Sequence, residues 1–499
     1  MNDQLAFFTV GIPLFGAIFA SLAGLWRAHW CQRIAQTAIV GTAIVTVGLF
    51  LQVNEVGAVH YQLGGWPAPI GIQFHVDPLN ALVLIVITVF AGLALWAAPT
   101  ALQDELPGQE RFVYPLMLLL VTGLLGMTVT GDAFNLYVML EITSLSSYAL
   151  VAIGKGRAAV SCFTYIVMGT IGASFYLLGV GYLYLKTGSL NMLDIKRVML
   201  EGHLIQSQTS ITGFILITVG LWIKMGLFPL HGWLPNAYAF APHAVTNLIA
   251  PLMTKVSVYV AVRYMLMVFT PDFMLAHENW SDIGQIIACV AIGAGSLIAY
   301  SQTDLKKLLC YLLVAEVGYM VGGMWLVNPV AFKGVIYHIV SDAAMTSCLF
   351  LGAASVIQAT GHRHVHALRH AAKTMPWTFA AFVLGFLSMI GVPPTCGFFS
   401  KWFLISGAVA EGAWWYVAAL LFSSLMNALI FFRLVEMALF SDVAHPADEV
   451  MDMGKNGEAA IGLRLPLWVS SLFVLGIGLA AQPFGGWIER IVRQVGGWP

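Results

Sequence analysis

Charged residues are scarce in this chain: Asp, Glu, Lys and Arg make up 9% of its 499 residues, whereas soluble domains carry about 25%. The formal net charge is −1, so nothing in the composition points to nucleic acid as a partner. Hydrophobic residues account for 59% of the chain. They occur in runs of about 20 residues, the length that crosses a bilayer as a helix. The sequence therefore predicts an all-α polytopic membrane protein without a large soluble domain.

Motifs for cofactors, metals and soluble substrates are also missing. None of the six cysteines forms a CxxC pair, and we interpret them as small buried hydrophobic residues. The chain has no Walker A motif, no GxGxxG turn after a strand and no water-facing hydrolytic triad. The histidine-rich tract GHRHVHALRH, from His362 to His370, has no Cys or Asp to complete a metal site, which favours a basic loop over metal binding. We expect no cofactor and no resident metal.

Fourteen apolar runs predict fourteen transmembrane helices. They lie at about residues 4–24, 35–53, 79–98, 112–130, 133–153, 160–185, 211–229, 240–268, 284–301, 308–327, 331–358, 376–408, 413–440 and 463–483. Lys and Arg follow helices 1, 5, 9 and 11, whereas the connections at 54–78 and 269–283 contain neither. Because basic connections stay in the cytoplasm, both termini should face away from it across a bacterial inner membrane. The connection at 186–210, with three basic residues, is the exception.

Six charged residues are placed well inside these predicted spans, away from their ends, where each costs about 3 kcal/mol if it is unpaired. They are Glu141, Lys224, Lys255, Glu316, Asp342 and Lys401. Lys224 follows Glu141 by 83 residues, and Lys401 follows Glu316 by 85. Both lysines lie in proline-interrupted helices, numbers 7 and 12. The spacing predicts two five-helix repeats, helices 4–8 and 9–13, which are inverted because each unit has an odd number of helices.

This repeat divides the chain into four parts. Residues 1–111 form an N-terminal three-helix segment, 112–268 the first repeat and 284–440 the second. Residues 441–499 form a cytoplasmic loop and a C-terminal helix.

The charges inside the spans suggest a proton relay. A buried lysine beside a carboxylate, as Lys224 is expected to be beside Glu141, can gain and lose a proton near neutral pH. The alternatives are a lysine that reaches the interface and an acid that serves helix packing. His231 and His243 lie in the broken region, and imidazole titrates in the same range, although a lone histidine is as often a satisfied core group.

The second set of charges allows similar interpretations. Glu316 has the position in the second repeat that Glu141 has in the first. His338 and Asp342 lie four residues apart on one helical face, so an Asp–His pair is expected, with either a structural or a functional role. Lys306 and Lys307 are interpreted as marking the cytoplasmic boundary.

Four segments carry a family resemblance: GDAFNLYVMLEITSLSSYAL, KMGLFPLHGWLPNAYAFAPHAVTNLIAPLMTKVSVY, SQTDLKKLLCYLLVAEVGYM and MIGVPPTCGFFSKW. They resemble the antiporter-like, proton-conducting membrane subunits of respiratory complex I, membrane-bound hydrogenases and Mrp-type multisubunit cation/proton antiporters. The likeness covers about helices 4–13, and GFFSKWFLISGAVAEGAWW is most similar to the D-type subunit of Mrp antiporters. The resemblance implies a fourteen-helix inverted-repeat fold with helices 7 and 12 broken.

The resemblance also implies roles for five residues. Glu141 matches the glutamate of helix 5 and Lys224 the lysine of helix 7. Lys255 matches the relay position on helix 8, Lys401 the lysine of helix 12 that faces the second half-channel, and His231 the histidine of the HxWLP motif.

The chain departs from the family pattern in two regions. Asn236 replaces a common acid after WLP, and Glu316 stands where glutamine or histidine is common. On helix 11, a His-x-x-x-His pair followed by lysine is replaced by His338, Asp342 and Thr346.

The expected function is proton translocation, together with other hydrophobic subunits of one membrane complex. The D-type subunit of a Mrp-type Na+/H+ antiporter is the first interpretation. An antiporter-like subunit of a redox-driven pump, of the NADH-quinone oxidoreductase or membrane-bound hydrogenase type, is the alternative. A non-conducting scaffold and a quinone-reducing enzyme in its own right are further possibilities, and the last lacks any cofactor signature.

Overall fold

The computed structural model describes residues 4–276, 279–369, 371–440 and 458–498. Within these ranges, thirteen helices are long and apolar enough to cross a membrane. Two shorter apolar helices, Pro376–Ile390 and Cys396–Ala410, form one more span with a break in it. The prediction of about fourteen spans is confirmed.

The helices follow one another in this order. The N-terminal segment has α1 (Leu5–Gly24), α2 (Ala28–Val56) and α3 (Pro78–Glu105). The next group has α4 (Glu110–Val129), α5 (Ala133–Ala152), α6 (Ala158–Thr187), α7 (Met192–Glu201), α8 (Gln208–Met225), α9 (Leu234–Phe240) and α10 (His243–Arg263). The last group has α11 (Thr270–Leu275), α12 (Trp280–Ser301), α13 (Leu305–Trp325), α14 (Pro329–Thr360), α15 (Ala371–Thr374), α16 (Pro376–Ile390), α17 (Cys396–Ala410), α18 (Trp414–Phe440), α19 (Ile461–Leu479) and α20 (Ala481–Gly496).

The helix pattern occurs twice. Three continuous helices, an interrupted pair and one more continuous helix appear first as α4, α5, α6, α8/α9 and α10. The same order returns as α12, α13, α14, α16/α17 and α18. The predicted breaks in helices 7 and 12 are therefore present at the expected places.

Glycine and proline produce both breaks. Gly226 follows α8 with a φ of +72°, and Gly391 follows α16 with a φ of +94°. Both are left-handed conformations that glycine adopts without steric cost, and they end the helix. Pro235 lies in the first turn of α9, where its missing N–H costs nothing. Each break leaves backbone carbonyls without helical partners within a predicted span.

Several of the described elements outside the spans were not predicted. The connection at 54–78 forms an antiparallel hairpin of β1 (Val59–Gln62) and β2 (Gln73–Val76). The connection at 186–210 contains α7, in which Arg197 pairs with Asp194 at 2.5 Å, so the basic residues of this exceptional loop are partly neutralised. The short helix α20 follows α19 at the C-terminus. Residues 441–457 of the predicted cytoplasmic loop lie outside the described residues.

The most buried spans are α10, α13 and α14. Every residue in the most apolar window of α10 and of α14 is buried, as is 94% of that window in α13. These helices pack against one another, so the two repeats meet along α10 and α14. Of the six charged residues named within the predicted spans, all except Glu141 are buried in the interior.

Candidate functional site

Lys224 lies in the last turn of α8, beside the first break. Its Nζ donates a hydrogen bond to Ser144 Oγ at 2.8 Å and lies 3.7 Å from Glu141 Oε1. The Lys224 side chain is 8% exposed, whereas the Glu141 side chain is 27% exposed. The two residues are therefore adjacent, as expected, and the carboxylate is the more accessible partner.

A small cavity of about 20 Å³ lies next to this pair. It is lined by residues of α5, α8 and α10, among them Ser144, Lys224 and Ser257. A volume of this size accommodates about one water molecule when polar groups surround it. The cavity thus provides a polar position between Lys224 and the buried helix α10.

Lys255 and Asp342 join the two repeats. Lys255 Nζ on α10 lies 2.9 Å from Asp342 Oδ2 on α14, and these side chains are 1% and 0% exposed. Thr346 connects them a second time, because its hydroxyl donates to Asp342 Oδ1 at 2.7 Å and accepts from Lys255 Nζ at 3.2 Å. The predicted Asp342–His338 pair is therefore wrong. Leaving the buried charge of Lys255 without a carboxylate would cost more free energy than leaving the neutral imidazole of His338, one turn away on α14, without one.

His338 contacts Glu316 instead. Its Nε2 lies 2.7 Å from Glu316 Oε2 on α13, and both side chains are fully buried. Its Nδ1 lies 2.9 Å from the hydroxyl of Ser400, which itself donates to the Gly397 carbonyl at 3.0 Å. Because the serine hydrogen is used in this way, the contact at Nδ1 fits an N–H donor on the ring. The other ring nitrogen, Nε2, faces the Glu316 carboxylate.

Lys401 lies in α17 beside the second break and is 4% exposed. Its Nζ donates to the carbonyl of Met389 at 2.7 Å, at the end of α16, and to Ser424 Oγ at 3.1 Å. It also lies 5.0 Å from the centre of the Tyr319 ring, a cation–π contact. The hydrogen-bond partners that the structure gives Lys401 are all neutral, so its charge is stabilised by carbonyls that the break has released.

Glu316 is central to the second half of this series. It contacts His338, which lies beside the Tyr319 ring that faces Lys401. The Tyr319 ring lies beside His338 as well as Lys401, with ring centres 5.5 Å apart for the histidine. The series therefore continues from the interface of the two repeats to the second break.

The two remaining histidines lie apart from this series. His231 is half-buried and stacks on Phe228, with ring centres 5.0 Å apart. Its Nδ1 is buried and has no hydrogen-bond partner in the described structure. His243 begins α10 and lies 3.3 Å from Glu105 Oε1. The contacts that the structure describes for these two imidazoles do not connect them to Lys224 or Lys255.

A polar cluster where α3 ends and α10 begins was missed by sequence analysis. Glu105 Oε2 accepts a hydrogen bond from the backbone N–H of His243 at 2.6 Å. Lys306, 2% exposed, donates to the Ala241 carbonyl at 2.8 Å and so is not a simple boundary residue. These groups and Arg363 line a cavity of about 260 Å³. Burial raises the pKa of Glu105, although Lys306 and the His243 N–H act in the opposite direction.

A second missed cluster lies at the opposite end of α10. Arg263 is buried and forms an ion pair with Asp77, which caps α3 and also lies 3.7 Å from His75 Nε2. Burial alone raises the pKa of Asp77, but Arg263 and His75 hold it well below its usual value. The sequence shows Arg263 as a charge within the predicted span 240–268. It does not indicate that the partner of Arg263 is Asp77, 186 residues earlier in the chain.

Comparison with known proteins identifies the family. The family model described as "NADH:quinone oxidoreductase/Mrp antiporter, TM" matches residues 130–427, more than half of the chain. The chain belongs to this family. The match begins just before α5 and ends within α18, so it includes Glu141, Lys224, Lys255 and Lys401.

Relatives of two kinds share almost the whole length. The chain is 40% identical over 499 residues to the N subunit of NADH-quinone oxidoreductase from Desulforudis audaxviator, covering 99% of this chain and 98% of the relative. It is 29% identical over 496 residues to the D subunit of the Na(+)/H(+) antiporter from Alkalihalophilus pseudofirmus, covering 99% and 97%. A chain of the membrane-bound sulfane sulfur reductase, an archaeal respiratory membrane complex, superposes with a TM-score of 0.89 at 27% identity, covering 99% and 98%. This family member is thus similar to subunits of both antiporters and respiratory complexes.

Proposed function

We propose that this family member is a proton-translocating subunit of a multisubunit membrane complex. The observation that carries the proposal is the series of ionisable side chains inside the protein. Lys224 with Glu141, Lys255 with Asp342, and Glu316 with His338 form three close contacts, and Lys401 follows. An unpaired charge at this depth costs about 3 kcal/mol. A scaffold that only docks partners has no need for so many.

The pairs suggest how protons move. Each carboxylate stabilises the charged form of its lysine, so loss of a proton from one lysine changes the field at the next. Glu316 contacts His338, with which it can share a proton, and the Tyr319 ring lies beside both His338 and Lys401. Protons would pass from Lys224 to Lys255, then by way of Glu316 and His338 towards Lys401.

Two cavities that can hold water would connect these ionisable side chains to one another and to the cytoplasm. The small cavity beside Lys224 provides a position for water between the first pair and α10. The cytoplasmic cavity at Glu105, His243 and Lys306 provides access to the start of α10. Its buried, ionisable lining suits the exchange of protons with the cytoplasm better than the binding of a large ligand.

The proposal includes the arrangement of the chain. Residues 112–268 and 284–440 would be the two inverted half-channel units, following the N-terminal segment 1–111. Residues 441–499 would supply a cytoplasmic loop and the C-terminal helices. The basic cytoplasmic connections support a bacterial inner membrane location with both termini on the opposite side.

The host complex is proposed to be a Mrp-type Na+/H+ antiporter, in which this chain is the D-type subunit. Its transported ions would be protons and Na+, and its partners would be other hydrophobic subunits. The full-length similarity to a D subunit of an antiporter supports it. A redox-driven pump is the second candidate, favoured by the 40% identity to a relative named as part of NADH-quinone oxidoreductase. Subunits that co-purify with the chain distinguish the two, because only the redox pump brings a dehydrogenase or hydrogenase arm.

The proposal is tested in the assembled complex, reconstituted into vesicles with a pH-sensitive dye inside. The variants Glu141→Gln, Lys224→Ala and Lys401→Ala should each slow proton transport at least tenfold while the complex remains assembled. Lys333→Ala is the control, because Lys333 lies on α14 but pairs with Glu489 at the surface. Full transport by all three variants would remove the proposal and favour a scaffold.

A further inference from the structure

A groove lies on the outside of the helix bundle, between the spans α2, α3 and α19. Its volume is about 420 Å³, and most of the side chains that line it are apolar, among them Ile39, Val40 and Ala43 of α2 and Leu93 of α3. The groove opens outwards, because Val40 is 59% exposed. In a membrane this surface meets hydrocarbon instead of water, so the groove is accessible to lipid.

The face of α2 that lines the groove changes character along the helix. His29, Arg33 and Gln36 precede Val40 and Ala43 at intervals of four and three residues, so all five lie on one helical face. His29 and Arg33 are exposed, and Gln36 lines the groove. From the start of α2 inwards, this face is first polar and basic and then apolar. A phospholipid has the same order, from its headgroup to its acyl chain.

The basic end of the groove carries positive charge that is available to a ligand. Arg33 is not part of the ion pairs between described residues, and its guanidinium lies 5.4 Å from the centre of the Trp30 ring. Arg464, directly before the lining residue Leu465, adds a second positive charge near the groove. Arginine suits a phosphate group because its planar fork can donate two N–H groups at once. This end therefore complements an anionic headgroup.

The length of the groove fits an acyl chain better than a partner helix. Along α3 the lining residues extend from Thr88 to Trp96, eight residues or about 12 Å. A transmembrane helix would make contact over the full hydrocarbon thickness of about 30 Å. At the inner end, the hydroxyl of Thr88 already donates to the Leu84 carbonyl at 2.9 Å. At the other end, Trp96 is 55% exposed, as is typical of tryptophan at a membrane interface.

We propose that this groove holds one acyl chain of an anionic phospholipid, whose phosphate group is bound by Arg33 together with His29 and Gln36. The bound lipid fills the space between α2 and α19 and so joins the last span to the N-terminal helices. The proposal does not depend on proton translocation.

Gly92 allows the groove to be filled without a clash. It lines the groove, and the atom nearest to a Cβ at this position is Cγ1 of Ile39, 4.0 Å away. Leucine also favours a helix more than glycine does. Gly92→Leu should therefore occupy the groove and leave the fold intact, which the thermal unfolding midpoint verifies. Gly293→Leu is the matched control, because Gly293 lies in the span α12 and a Cβ there meets nothing within 4 Å.

The test uses the full-length chain in detergent, observed by native mass spectrometry during titration with phosphatidylglycerol or phosphatidylcholine that carry the same acyl chains. Wild type should bind one phosphatidylglycerol molecule at least fivefold more tightly than phosphatidylcholine. Gly92→Leu should weaken this binding at least tenfold, and Arg33→Gln should remove the preference for phosphatidylglycerol. Gly293→Leu and Arg27→Gln, which changes an exposed arginine outside the basic face of α2, should leave both quantities unchanged.

Three results would overturn the proposal. The first is equal affinity of wild type for the two lipids. The second is an unaltered preference in Arg33→Gln, a variant that decides the matter even if Gly92→Leu lowers the unfolding midpoint, because Arg33 is exposed. The third is a Gly92→Leu chain that keeps the lipid but no longer co-purifies with the other subunits, since the groove would then be an interface between proteins.

Discussion

Replacement of Asp342 by Asn removes one charge from the buried Lys255–Asp342 ion pair and changes little else. The amide has the same shape, and its oxygen can still accept the hydrogen bond from Thr346. At the observed 2.9 Å, two unit charges at an effective dielectric of about 20 attract by roughly 6 kcal/mol. Desolvation offsets part of this attraction. Breaking a buried pair by removing one partner typically costs about 3–5 kcal/mol.

We therefore expect Asp342→Asn to lower the free energy of unfolding by about 3–5 kcal/mol. We also expect it to slow proton transport at least tenfold, because Lys255 must either remain charged without a partner or give up its proton. The thermal unfolding midpoint of the chain in detergent measures the first effect. Dye-monitored proton uptake by vesicles containing the complex measures the second.

Two controls separate stability from transport. The partly exposed pair of Lys333 and Glu489 has almost the same separation, 3.0 Å, with side chains 14% and 35% exposed. Because solvent reaches this pair, Glu489→Gln should cost less than about 1 kcal/mol, as ion pairs near the surface do. The double variant Lys255→Met/Asp342→Leu should recover most of the lost stability, because apolar replacements of a buried pair are tolerated, yet it should not transport protons. Wild-type transport by Asp342→Asn, or by the double variant, would refute the reasoning.

Three further predictions concern the neighbouring groups. Glu316→Gln keeps the size of the side chain but removes the proton shared with His338, so dye-monitored transport should fall at least tenfold with the unfolding midpoint within a few degrees of wild type; unchanged transport would contradict the relay. Arg263→Leu should destabilise the protein by about 3–5 kcal/mol near neutral pH by leaving Asp77 buried without its partner. Arg263 lowers the pKa of Asp77. The stability that Arg263 confers is therefore present at pH values above the ordinary aspartate pKa. It is lost as the pH falls below that pKa and through the lowered pKa of Asp77 in the folded protein. The difference between variant and wild type in thermal unfolding should therefore narrow in acid, and a constant difference would be inconsistent with this cause. Glu105, whose pKa burial raises, should lose its charge at a higher pH than a free glutamate; Glu105→Gln should flatten the acid limb of the transport–pH profile, and an unaltered limb would argue against a role in proton access.

Local chemistry explains why the architecture was predictable. Long apolar runs must become helices in a bilayer because no water can satisfy their backbone groups. Gly226, Gly391 and Pro235 end or begin helices by their own backbone preferences, so the two breaks could be placed as well. Lysines inside such runs can be recognised from the sequence as candidate functional residues, because an unpaired charge in lipid costs so much free energy.

The pairing of the charges was not predictable to the same extent. The i, i+4 spacing suggested His338 for Asp342, but the carboxylate lies opposite Lys255, 87 residues earlier. Helical spacing describes neighbours on one helix and says nothing about the helix packed against it. The clusters at Glu105 and Arg263 were missed for the same reason, because each joins helix ends that are far apart in the sequence.

The sequence by itself determined that the chain crosses the membrane about fourteen times, that helices 7 and 12 break and that ionisable groups lie within the spans, since each of these follows from residues close together in the chain. Only the tertiary structure decided which acid neutralises which lysine, how the two repeats meet along α10 and α14, and that α2, α3 and α19 enclose a groove. Those contacts depend on helix packing, in which the deciding free energy is the desolvation and pairing of groups from distant segments.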